Sequence, residues 1–207
     1  MQEVPWISSI LKNVSLGVFF FKTAIILRES LFINGILTNS ECWNFLSQKQ
    51  IKIFEDADAR LFSSFFCSPR STNRVLYYLE TGKIPLRHVL AKRRLMYLWH
   101  VLSRPNQELI SRVFSVMKLK PVKNDWCKMI EDEKNKYNIV LEDEEIKGLS
   151  RNKFKALVED RVNKFAFKSL MSTARKQSKC KAIVQDLDES DIKIQKYLIC
   201  DKLMKDD

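Results

Sequence analysis

Closely spaced carboxylates can hold the divalent cations used in phosphoryl transfer, and Glu55-Asp56-Ala57-Asp58 is the stretch of this sequence that invites such a reading. Polymerase metal carboxylates usually sit at a strand turn. These acids lie instead in a stretch where Ile51, Phe54, Ala57, Leu61, Phe62 and Phe65 keep helical spacing, so the expectation is a solvated acidic face. His88 and His100, twelve residues apart on one expected helix, point in different directions and cannot share a metal without ligands from elsewhere. The GxSxG, HExxH, P-loop and GxGxxG patterns are all absent. The expectation is therefore a chain with no metal site, no cofactor and no catalysis of its own.

Cations are the second chemistry. Residues 84–104, IPLRHVLAKRRLMYLWHVLSR, carry Arg87, His88, Lys92, Arg93, Arg94, His100 and Arg104 with no acid among them. Three adjacent cations, Lys92 to Arg94, suit contact with phosphates, although a solvated face explains them equally well. Tyr97 and Trp99 could stack on unpaired bases, or fill a core among the leucines that surround them. A second basic stretch covers residues 147–181, where eleven Lys and Arg face only Glu159 and Asp160, a net of about +9. Its candidate phosphate contacts are Arg161, Lys164 and Lys168.

The elements that would position these groups read as helices. Residues 84–104 form the central one, opened by Pro85, stopped before Pro105, and made largely buried by Leu86, Val89, Leu90, Tyr97 and Val101 at three- and four-residue steps. Upstream, residues 15–32 read as a long buried helix stopped by Asn34-Gly35. Residues 36–43 are short enough to be extended, and Ser47 caps a helix reaching Phe66. Ser71 or Thr72 caps a short helix that Thr81-Gly82 closes. Downstream, Asn106 caps a helix whose buried side is Leu109, Ile110, Val113, Phe114 and Met117. Asn124 or Asp125 starts one through Lys136, docked by Trp126, Met129 and Ile130. A loop holding Glu142 to Glu145 leads to Ser150, the cap of a long helix with Phe154, Leu157, Val158, Val162, Phe165 and Leu170 on one side. The fold class is all-α: an irregular assembly of about seven to eight helices.

Composition agrees. Four glycines and five prolines in 207 residues are few for a chain of hairpins, and 45% hydrophobic residues argue against disorder. A formal charge of +11 attracts polyanions. The five scattered cysteines, without a CxxC pair, suit a reducing compartment, the cytoplasm or nucleus. The amino terminus has no signal-peptide pattern, and Lys22, Arg28 and Glu29 interrupt the longest apolar region, so no membrane span is expected.

The run LRESLFINGILTNSECW, from Leu27 to Trp43, resembles the segment just after the catalytic palm in non-LTR retrotransposon reverse transcriptases. Leu79-Glu80-Thr81-Gly82 with Ile84-Pro85-Leu86-Arg87, then Lys92-Arg93-Arg94-Leu95-Met96-Tyr97-Leu98, then Lys120-Pro121-Val122-Lys123-Asn124-Asp125-Trp126 are similar in order and spacing to the downstream part of those polyproteins. The likeness covers roughly residues 15–181. It implies a thumb-like helical region over residues 1–82, a basic post-thumb region over 83–182 and an acidic tail over 183–207. It also implies template and primer handling through backbone contacts, on RNA or DNA, with a polymerase palm as a further partner. The family's palm aspartates have no counterpart upstream of Leu27, and the Glu55 to Asp58 cluster lies on the wrong side of the thumb-like motif to replace them. The expectation is a carboxy-terminal, nucleic-acid-binding fragment. A helical module that docks a partner protein, or a remnant without function, is the alternative.

Overall fold

The computed structural model describes residues 18–43, 46–66, 68–69, 72–120, 122, 125–177 and 180. Among them there is no strand, and the chain is all-α. Helix α1 spans Val18–Leu27 and continues through a π-helical stretch, Arg28–Ile33, into the short α-helical turn Asn34–Ile36. Asn34-Gly35 therefore does not stop it. Asn34 keeps helical dihedrals, and the Thr38 hydroxyl donates to the carbonyls of Asn34 and Gly35, so the chain turns only later, at Asn39, whose φ of 55° is left-handed. Residues 36–43 are accordingly not extended: a turn and a 3-10 helix, Ser40–Cys42, take their place.

Helix α2 spans Gln48–Phe65. The Ser47 hydroxyl accepts the Gln50 N–H at 3.3 Å while the Gln50 side chain accepts the Ser47 N–H at 2.8 Å, a reciprocal cap. Helix α3, Arg74–Thr81, is capped by Asn73 rather than by Thr72 or Ser71, the latter lying outside the described residues. Gly82, at φ 62°, closes it, which only a residue without a Cβ does at no cost. Helix α4 spans Leu86–Leu102, α5 Leu109–Leu119, α6 Trp126–Lys136, α7 Asp143–Gly148 and α8 Arg151–Arg175.

Asn106 does not cap α5. Glu108 N–H closes a turn onto the Pro105 carbonyl, which delays the helix to Leu109. Asp125 does cap α6, accepting the Lys128 N–H at 2.7 Å, and Ser150 accepts from Lys153 at the start of α8. Glu142 caps α7 and residues 143–145 form its first turn instead of a loop, because the Glu145 carboxylate accepts the Glu142 N–H at 2.8 Å and three acids suit a helix amino terminus. The acidic stretch from Asp186 lies outside the described residues.

The chain divides into two compact units. One comprises the described residues within Met1–Thr38, Ile53–Ile84 and Phe167–Asp207, the other Asn39–Lys52 and Pro85–Ala166. The first is built on an aromatic cluster in which Phe62 stacks on Tyr77 at 5.9 Å and meets Tyr78 edge-on at 5.6 Å, with Phe65, Val75, Leu79, Leu170, Met171 and Ala174 around them. The second is organised around α4, which packs on the 3-10 turn, α5, α6 and α7. Leu90, Leu95 and Leu98 of α4, Ile130 of α6, Ile146 of α7 and Phe154 and Val158 of α8 are all excluded from solvent.

In the first unit the acidic cluster is not a solvated face. Asp58 is 0% exposed and accepts the Arg28 guanidinium at both oxygens, each at 2.7 Å, and the Tyr78 hydroxyl at 2.9 Å. Arg28, 1% exposed, also donates to Glu29 at 2.8 Å and lies 4.7 Å from the Phe62 ring centre. Burial opposes the charge on Arg28, but the hydrogen bond and charge of Asp58 more than offset this and raise its pKa. The bidentate arginine and the tyrosine take three of the roughly four acceptor positions of the buried Asp58 carboxylate, and among the described residues no group of three or more His, Cys, Asp or Glu could hold a metal. Nor is any helix among them long and apolar enough to cross a membrane.

Candidate nucleic-acid interface

The sequence places seven cationic or imidazole side chains on α4 and its end, and the fold sorts them. His88 is buried, and its Nδ1 is hydrogen-bonded to the Tyr137 hydroxyl across 2.9 Å. Burial, then the charges of Lys136, Arg87 and Lys92, lower its pKa to about 3, so at neutral pH it is an uncharged core residue. Arg94 also points inward: it is 6% exposed and its Nη1 donates to Glu133 of α6 at 2.9 Å. Burial raises the Glu133 pKa although Arg94 acts the other way. The run Lys92-Arg93-Arg94 is thus split, with its third member an internal tie between α4 and α6.

Lys92 and Arg93 stay at the surface, and with them the fold forms a groove of about 650 Å³. Arg151, from the first turn of α8, and His100, from the last turn of α4, also line it. So do Met96, Tyr97 and Trp99, and the acid Glu41 from the 3-10 turn. The walls are fixed. Trp99 Nε1 donates to the Leu149 carbonyl at 2.9 Å, which holds the indole and ties α4 to the entry of α8. Trp126 Nε1 donates to the Glu41 carbonyl at 2.8 Å, which seats the 3-10 turn on α6. Tyr97 stacks on His100 with centres 5.9 Å apart and meets Trp126 edge-on at 5.7 Å. Partial burial, then Cys42 and Glu41, raise the Tyr97 pKa, so its hydroxyl stays a donor at neutral pH.

Of the cations expected to contact phosphate, Lys92, Arg93 and His100 meet in the groove. Arg87 and Arg104 are exposed but are not among its lining residues, and Arg104 forms an ion pair with Glu108 at 3.7 Å. Arg161, Lys164 and Lys168 are exposed on α8, with Lys164 paired to Asp160 at 2.9 Å. Arg151 is the lining cation that spacing alone does not single out. One signal points to it: α8 opens RNKFK, with three cations and no acid in the turn where the helix dipole favours negative charge.

No protein-family model, no curated protein and no solved structure matches this chain.

Proposed function

We propose that this chain binds nucleic acid through the α4 groove, as the template-handling thumb and post-thumb region of a retrotransposon reverse transcriptase would, and performs no catalysis by itself. One observation carries the reading: Lys92, Arg93 and Arg151 line the same groove as Met96, Tyr97 and Trp99. Cations that track a phosphate backbone beside rings that accept base faces are the combination used for nucleic-acid strands. The net charge of +11 supports it, since long-range attraction brings a polyanion to such a groove.

Binding releases condensed counterions in proportion to the phosphates contacted. Three such contacts weaken affinity by roughly twenty- to fortyfold between about 50 and 200 mM salt. Fluorescence anisotropy with a labelled RNA hairpin measures this directly, and affinity that stays flat over that range contradicts the proposal.

A second reading rests on α5. Phe114 and Ser111 are buried, the Ser111 hydroxyl donating towards the Val101 and Arg104 carbonyls, and this turns Leu109 and Val113 of the expected apolar side outward while Ile110 and Met117 stay half-buried. Leu109 is 76% exposed, Val113 48%, Val116 58% and Leu119 80%. A helix face of that kind suits docking of a partner protein.

A further inference from the structure

Resting on the nucleic-acid reading of the same groove, we infer that its ligand is a single strand whose unpaired base lies against Trp99 and Met96, rather than a duplex held by its backbone alone. The lining divides by chemistry. Lys92, Arg93 and Arg151 suit phosphate, but the indole of Trp99, the Met96 thioether and the ring of Tyr97 offer a phosphate nothing. In a duplex the bases are stacked on one another and their faces are closed to protein side chains. Only an unpaired base can use the apolar part of the wall.

Glu41 points the same way. It is an acid in a cationic groove, and a carboxylate repels phosphate. It does accept hydrogen bonds from the amino groups on base edges, both of whose hydrogens are free for it only when the base is unpaired. The Trp99 hydrogen bond to Leu149 fixes the indole before any ligand arrives, so stacking on it costs little ordering. The volume also fits, since about 650 Å³ falls within the roughly 300–1,000 Å³ of clefts that enclose small ligands.

The test uses the full chain with a labelled oligoadenylate strand, and with the same strand annealed to oligouridylate, at low salt. The single strand is expected to bind at least about tenfold more tightly, the scale of one base stacked on an aromatic ring. Trp99→Ala should weaken the single strand by roughly tenfold and leave the duplex unchanged, while Trp99→Phe keeps most of the affinity. Trp99 also donates to Leu149, so Met96→Ser, which removes no hydrogen bond, serves as a second variant and should weaken the single strand alone. Equal affinity for both probes, or variants that weaken both alike, overturns the inference and leaves the nucleic-acid reading standing. Failure of both probes to bind overturns the reading as well.

Discussion

Asp58 shows how one side chain's environment decides what its chemistry can be. A buried carboxylate facing a bidentate guanidinium is stable only while both partners are present, because removing one strands the other charge in a low-dielectric core. Asp58→Ala should therefore destabilise the fold by about 3–5 kcal/mol in urea denaturation, and Arg28→Met with Asp58→Leu should recover most of that loss. A cost below about 1 kcal/mol for the single change would mean that the pair is solvated. Spacing marked Glu55, Asp56 and Asp58 as acids on a helix but could not show which way they face, because Arg28 lies thirty residues away. His88 gives a second residue-scale expectation. Its folded pKa of about 3 lies below the ordinary 6.5, so the unfolded chain binds this proton first as pH falls. Stability is then complete above pH 6.5 and declines towards pH 3. Relative to His88→Gln, the intact chain should lose up to about 1.4 kcal/mol more per pH unit below 6.5, and parallel profiles would contradict the buried neutral imidazole.

At the scale of elements, caps and periodicity made most helices legible, because they depend on neighbours in sequence. Ser47, Asp125, Ser150 and Gly82 act where their types predict. What stayed hidden depends on distant partners or on hydrogen bonds that spacing does not reveal. Thr38 carries the first helix past Asn34-Gly35, the Glu142–Glu145 bond turns a loop into α7, and Ser111 decides which side of α5 is inside. With Ser111 and Phe114 facing inward, Phe114→Ala should cost about 3 kcal/mol, whereas Leu109→Ser, Val116→Ser and Leu119→Ser should each stay within about 0.5 kcal/mol, as exposed positions do. Large losses at Leu109 or Leu119 in thermal or urea unfolding would show that another surface covers them. The groove was half legible. Lys92, Arg93, His100, Tyr97 and Trp99 stood out by type, but Arg94 did not reveal its Glu133 partner, and Arg151 joins from a different helix, far along the chain.

For the whole molecule, a net charge of +11 guarantees some attraction to any polyanion, so affinity by itself does not locate a site. Location requires two variants of equal charge. Lys92→Ala, Arg93→Ala and Arg151→Ala together remove three cations from the groove; Lys147→Ala, Lys153→Ala and Lys155→Ala remove three that do not line it. Arg94 is left intact, because its pair with Glu133 belongs to the core. The decisive measurement is the slope of log affinity against log salt for single-stranded RNA with each variant beside the unaltered chain. Binding in the groove predicts that the first variant flattens the slope by about 2 while the second changes it by much less. Equal flattening by both would reduce the interaction to diffuse attraction and contradict a nucleic-acid site in the α4 groove.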